Sequence, residues 1–238
     1  HLSLRRQRQM CIRDSMYTDY MLMTAAKNVT RDVSLVFDFI ERPYSPVRFK
    51  ELLVSPNEMK QKFSRLINEE IKNKQAGKPA YILIKINHIT DPVMVKKLYE
   101  ASSHGVRIDL LVRGNCSLIT GVPGVSDTIR INGIIDRYLE HSRIFIFANG
   151  GDEKMFIGSA DWMPRNLDNR VEVIAPVYDP EIKADLKRVV EYGLKDTLQG
   201  RVVDGTGENR PWISEDKTAF RSQEELYKYY LNENRIKD

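Results

Sequence analysis

Apolar positions along this 238-residue chain follow two periods, and the way these alternate predicts a fold class. Val29, Val33, Val36, Phe37 and Ile40 recur at helical spacing, with Thr30 as a candidate cap and Pro43 and Pro46 closing the segment. A longer helix is predicted to open at Ser55-Pro56 and to end at Gly77 to Pro79. It has Met59, Phe63, Leu66, Ile67 and Ile71 on one face and Lys60, Lys62, Glu69, Lys72 and Lys74 mostly opposite. Tyr81 to Ile86 is an apolar run of strand length. Asp91-Pro92 then starts a helix whose Val95, Leu98 and Tyr99 point inward, Gly105 stops it, and Arg107 to Val112 is a second buried strand. Strand, helix and strand in this order read as a right-handed parallel βαβ unit. Arg113 falls just past the carboxyl end of the second strand, where open α/β sheets gather ligands. Taken alone, it reads as readily as an arginine capping a strand in solvent.

The stretch from Tyr138 to Glu172 reads as a β-hairpin. Arg143 to Phe147 runs out, Asn149-Gly150-Gly151-Asp152 turns, and Met155 to Ile157 returns. His141 stands at the entrance. Gly158-Ser159-Ala160-Asp161 leaves at the same end, followed by Arg165, Asn166 and Arg170. An imidazole, several guanidiniums, a hydroxyl and a carboxylate gathered there suit a phosphoryl group, because guanidinium forks match phosphate oxygens and histidine exchanges a proton near neutral pH. The plainer reading is a strand-edge histidine among solvated arginines. Arg170 to Val177 is a further strand, Asp179-Pro180 opens a helix carrying Ile182, Leu186, Val189, Val190 and Leu194, and Ser222 to Leu231 forms a short amphipathic helix. Gly121 to Gly124 is a turn signal. No Gly-Lys-Ser/Thr follows it, which excludes a Walker-type ATPase. His88 and His104 read as ordinary loop or helix-end histidines.

Composition narrows the class. A chain of this length holds one sizeable domain or one and a half. No stretch approaches the roughly 20 apolar residues of a membrane span, and two cysteines, Cys11 and Cys116, give no disulfide framework, so a reducing cytoplasm is the expected compartment. The net charge is +4, but Arg5, Arg6, Arg8 and Arg13 against Asp14 put +3 of it in residues 1–15, leaving a nearly neutral remainder without the Lys/Arg run of a nucleic-acid groove. That leader also lacks the apolar core of a secretory signal.

Four strings in fixed order carry a family resemblance: LLVRG (Leu110 to Gly114), GVPGVSDTIR (Gly121 to Arg130), RYLEHSRIFIFANGGDEK (Arg137 to Lys154) and SADWMPRNLDNRVEV (Ser159 to Val173). With looser agreement from Tyr17 onward, the chain resembles the C-terminal catalytic region of the long, multidomain bacterial polyphosphate kinases. The resemblance implies an α/β fold, a phospholipase D-like mixed sheet flanked by helices. It also implies a division into residues 1–15 as foreign leader, 16–50 as the tail of a preceding catalytic domain and 51–238 as a second catalytic domain. By the same resemblance Tyr17, Arg113 and His141 belong to the ATP site, with His141 as the catalytic residue of this part. Arg143, Lys154, Asp161, Arg165 and Arg170 are weaker candidates for phosphate contacts, with surface salt bridges the alternative for each. No metal ligand is assigned.

The implied activity is reversible transfer of the ATP γ-phosphate, with Mg2+, through a phosphohistidine to inorganic polyphosphate. Its partners are ATP, ADP and polyphosphate, with no nucleic acid and no membrane span. The full-length enzyme is expected to be a homo-oligomer, with membrane association left open. Because the phosphorylated histidine is expected upstream of Tyr17, the chain by itself is expected to be inactive. Phospholipase D enzymes pair two His-x-Lys elements, each with an Asp five residues beyond the Lys; here His141-Ser142-Arg143 has Arg for Lys, and Ala148 stands at the Asp position. These departures favour the kinase branch. A phosphodiesterase half-site and a non-catalytic polyanion-binding module remain the alternatives.

Overall fold

The computed structural model describes residues 16–44, 46–213 and 218–235. The proposed leader, residues 1–15, lies outside them. Among the described residues ten strands and five α-helices follow in chain order: β1 (Tyr17–Thr18), α1 (Lys27–Glu41), β2 (Leu53–Ser55), α2 (Met59–Gln75), β3 (Tyr81–Ile86), α3 (Pro92–Ser103), β4 (Arg107–Val112), β5 (Ile129–Ile134), β6 (Leu139–Glu140), β7 (Arg143–Phe147), β8 (Lys154–Gly158), β9 (Glu172–Val177), α4 (Pro180–Lys195), β10 (Gly200–Val202) and α5 (Ser222–Arg235). Eight strands form one mixed sheet in the order β10-β5-β4-β3-β7-β8-β9-β2. β3, β4 and β5 are parallel, and the other pairings are antiparallel. This is the mixed α/β sheet flanked by helices that the sequence predicts.

The central strands read as unbroken apolar runs because both of their faces are buried. Ile82, Ile84 and Ile86 of β3, with Phe145 and Phe147 of β7, join one core with Phe63 of α2, Leu98 of α3 and Trp162. Leu83, Ile144 and Ile146 point the other way, into a core with Leu186, Val189 and Val190 of α4. Phe63 sits 4.8 Å from the Phe145 ring and 5.1 Å from Trp162, within the range of favourable aromatic pairs. Asp91 and Asp179 cap α3 and α4, each accepting two backbone N–H bonds, and Pro follows each at the first helical position.

The structure departs from the sequence reading in several places. Ser55-Pro56 does not open α2; it ends β2, an edge strand on β9, and the helix begins at Met59. The buried face of α1 is Val29, Asp32, Val36 and Phe39, while Val33, Phe37 and Ile40 are exposed. Asp32 is responsible for that face. Its carboxylate accepts the backbone N–H of Glu51 at 2.6 Å and of Leu52 at 3.1 Å, turning the charged side inward onto the segment before β2. Thr30 does not cap the helix but bonds back to Ala26 O. In α3 the core positions are Met94, Leu98 and Ala101, with Val95 and Tyr99 packed at the rim, and in α4 Ile182 is exposed. The strand read from Arg170 begins at Glu172.

Candidate functional site

Four strand ends meet at one end of the sheet. β3 and β4 run in parallel and finish just before Asn87 and Arg113; β7 is antiparallel to β3 and therefore starts there, at Arg143; β8, paired with β7, finishes there before Asp161. His141 precedes β7. The hairpin therefore brings His141, Arg143 and Asp161 together, and the parallel pair adds Arg113.

Asp161 is the anchor. It is 5% exposed. Its Oδ1 accepts the backbone N–H of Asn87 at 3.1 Å, that of His88 at 3.4 Å and Arg143 Nε at 3.2 Å, while Oδ2 accepts Arg143 Nη2 at 3.3 Å. Such a fork fixes the plane of the guanidinium as well as its position. Arg143 Nη1 donates to His141 O at 2.9 Å and lies 3.3 and 3.4 Å from the two imidazole nitrogens, nearly equidistant, so it sits against the ring rather than on one lone pair.

The His141 imidazole is held from the other side by β1, which pairs in parallel with β6 outside the main sheet. Tyr17 meets the ring edge-on at 5.0 Å, and Asp19 Oδ2 lies 2.8 Å from Nδ1. A carboxylate there accepts the Nδ1 proton, which leaves the lone pair of the neutral ring on Nε2. Open space of about 330 Å³ lies beside these groups, lined by Asp19, His141, Arg143, Gly158 and Ser159.

Arg113 donates Nε to Asn87 Oδ1 at 3.0 Å, and Asn87 Nδ2 reaches His141 O at 3.5 Å. Burial, and then the Arg143 charge, pull its proton affinity down, against the smaller opposing pull of Asp161, whose carboxylate is shared with Arg143. Beneath the site Lys85 forms a buried pair with Glu140 at 3.0 Å and donates to Ser142 Oγ at 2.7 Å. Burial works to raise the Glu140 carboxyl, but Lys85, Gln223 and Thr18 outweigh it and hold it below the usual value.

The other sequence candidates divide. Arg165 is exposed, but its charge is felt at His88, at the edge of the same cluster. Arg170 contributes its carbonyl to Ser55 Oγ at 2.7 Å while its side chain is exposed. Ser159 turns to Glu172 instead of His141, at 2.5 Å. Lys154 is apart from the site. It pairs with Phe147 at the opposite end of the hairpin, four residue steps or roughly 13 Å along the strand. There it lines a larger cleft of about 570 Å³ whose lysines alternate with Glu51, Glu69 and Glu153, so that cleft carries no concentrated positive field.

Asn87, His88 and Asp19 belong to the site but carry no sequence signal, because each matters only through a neighbouring strand. Lys85 does carry one: a lysine inside the apolar run of β3 must find a buried partner or leave the strand. His88 is half-buried, and its Nδ1 accepts the Asn115 backbone N–H at 2.9 Å. Burial lowers its pKa; Asp161 opposes this, and Arg113, Arg165 and Arg143 add to it. The unfolded residue titrates near 6.5, so below that pH the unfolded chain binds more protons than the folded one. The His88 contribution to stability is therefore present above pH 6.5 and lost as pH falls toward the folded value. Urea unfolding midpoints measured across that window should fall less steeply for His88→Asn than for the parent, and equal slopes would place the titration elsewhere.

Comparison with known proteins bears on the whole arrangement. Residues 52–223 match the family described as polyphosphate kinase C-terminal domain 2. Polyphosphate kinase of Escherichia coli (strain K12) is 44% identical over 214 residues, which are 90% of this chain and 31% of the relative, so the chain spans less than a third of that protein. The crystal structure of polyphosphate kinase from Porphyromonas gingivalis superposes with a TM-score of 0.88 at 38% identity, covering 94% of this chain and 34% of that one. Nuc from Salmonella typhimurium, a phospholipase D family member, gives 0.47 at 14% identity over 65% of this chain and 97% of its own.

Proposed function

Because this chain belongs to the polyphosphate kinase C-terminal domain 2 family, we propose that it forms one wall of a phosphotransferase site at which the γ-phosphate of ATP passes reversibly, through a phosphohistidine held elsewhere in a longer protein, to inorganic polyphosphate. The observation that carries this reading is the junction of Arg113, Arg143 and His141 at one sheet end, oriented through Asn87 and Asp161. Phosphoryl transfer needs charge stabilisation and alignment more than covalent help from the protein, and planar guanidiniums supply both. In this reading Arg113 and Arg143 hold phosphate oxygens, Tyr17 stands beside the nucleotide, and His141, with its lone pair on Nε2 beside Arg143 Nη1, exchanges a proton with the leaving phosphate. Arg165 and Arg170 are outer contacts at most, and Lys154 has no place at this site.

Magnesium does not fit this wall as a protein-bound ion. Among the described residues no three of His, Cys, Asp and Glu come together, and Asp161 is already engaged by Arg143 and two backbone donors. Nothing asked of the residues above depends on one. Among the described residues no helix is long and apolar enough to cross a membrane.

Titration calorimetry of the chain with ATP tests the reading. Saturable binding is expected, together with no acid-labile phosphate on the protein after incubation with labelled ATP. Stoichiometric labelling at His141 would overturn the division of roles. Cleavage of a chromogenic phosphodiester without ATP would favour the phosphodiesterase alternative. Equal affinity for ATP and tripolyphosphate, lost steeply with salt, would favour a simple polyanion module.

A further inference from the structure

We propose that His88 is a further phosphate-binding residue of this site, acting as a neutral hydrogen-bond donor through Nε2. The inference rests on the phosphate reading of Arg113 and Arg143. It starts from geometry. His88 follows Asn87 at the end of β3, and its backbone N–H shares Asp161 Oδ1 with Arg143 Nε, so the imidazole is mounted on the same carboxylate that orients the guanidinium. Its ring lies against Gly114, where a Cβ would stand 2.3 Å from Cε1 and 2.6 Å from Nδ1; the residue after Arg113 must be small for the imidazole to occupy this place.

The Asn115 backbone N–H donates to Nδ1 at 2.9 Å, which fixes the tautomer. A nitrogen that accepts carries the lone pair, so in the neutral ring the proton is on Nε2. Among the described residues Nε2 has no hydrogen-bond partner. The charges acting on the ring are Arg113, Arg143 and Arg165 against Asp161 alone, and Asp161 is saturated by Arg143 and the two backbone donors. A half-buried donor in a cationic setting, without a protein acceptor, is matched by an anionic oxygen. The ligand chemistry is the terminal phosphoryl group of a nucleotide or of a condensed phosphate. The two histidines then hold opposite tautomers: His141 presents a lone pair at Nε2 and His88 presents a proton there, so one can exchange a proton with the phosphate while the other only binds it.

Two substitutions separate this role from a structural one. His88→Asn keeps an acceptor near the Nδ1 position for Asn115 and removes the donor; His88→Gln keeps a donor near the Nε2 position and removes that acceptor. Each variant of the chain, with the parent and Arg113→Ala, is titrated calorimetrically with ATP and, separately, with inorganic tripolyphosphate, and its melting temperature is recorded. His88→Asn should melt with the parent yet bind roughly ten- to hundredfold more weakly. His88→Gln should melt lower and keep most of the affinity. A loss with both probes assigns the contact to the shared phosphate, and a loss with ATP alone assigns it to a phosphate placed by the nucleoside. Parental affinity of His88→Asn for both probes, with Arg113→Ala impaired, would overturn the role of His88 and leave the site standing. No binding by the parent would overturn both.

Discussion

Replacing Asp161 with alanine should cost the fold about 3–5 kcal/mol, the loss expected when one member of a buried ion pair is removed and the other charge stays behind. The Arg143 and Asp161 side chains are only 12% and 7% exposed, so the guanidinium cannot simply turn to water. The same substitution also strips the acceptor from the backbone N–H groups of Asn87 and His88, which leave β3 at this point. Asp161→Asn should fall between, since its amide oxygen still accepts N–H bonds but returns no charge to Arg143. Urea unfolding of the three proteins measures this directly. A loss under about 1 kcal/mol for the alanine variant would show that the pair behaves like an exposed one.

The second large effect concerns binding. If Arg113 and His141 face one nucleotide, Arg113→Ala in the full-length enzyme should weaken ATP by about 1.5–3 kcal/mol, roughly ten- to 150-fold, because a guanidinium on phosphate is a charge-assisted contact. Arg113→Lys should recover only part, a point charge being unable to reproduce the fork. His141→Ala should slow turnover more than it weakens binding if Nε2 works on the leaving phosphate. Asn87 joins the two residues, accepting from Arg113 and reaching His141 O. The double variant should therefore lose less than the sum of the single losses. Strictly additive losses would put the residues on separate sites, and parental affinity and rate would remove them from the site altogether.

Strands β3 and β4 are legible in the sequence to the residue because burial on both faces makes an apolar run with sharp ends. The hairpin is legible for a different reason. Asn149 and the two glycines after it hold positive φ, a turn chemistry that the residue types announce. β2 is not legible, since three residues establish no period. β5 hides because Arg130, Asn132 and Gly133 interrupt its apolar pattern, although Asn132 is buried and bonds to Gly193 O. Periodicity does not reveal the buried face of α1, because the partners of Asp32 lie 19 and 20 residues away. The site divides on the same ground. His141, Arg143 and Asp161 share a hairpin and can be paired from sequence. Asn87, His88 and Asp19 reach it only through strand order.

The attachment of β1 sets how this site moves. The strand that brings Tyr17 and Asp19 to His141 is held by two residue pairs, with Leu139 N–H on Met16 O and His141 N–H on Thr18 O, while the other side of the histidine belongs to an eight-stranded sheet. Short ladders outside a main sheet open locally at far lower free energy than the core unfolds. When β1 lifts, the Nδ1 proton of His141 loses its carboxylate and the ring is free to place its proton on either nitrogen. Closing β1 restores the arrangement with Nε2 unprotonated. In the proposed reading, the proton exchange assigned to His141 would then follow a local opening equilibrium, and a ligand that touches both Tyr17 and His141 would slow amide exchange at Leu139 and His141 while leaving the central strands unchanged.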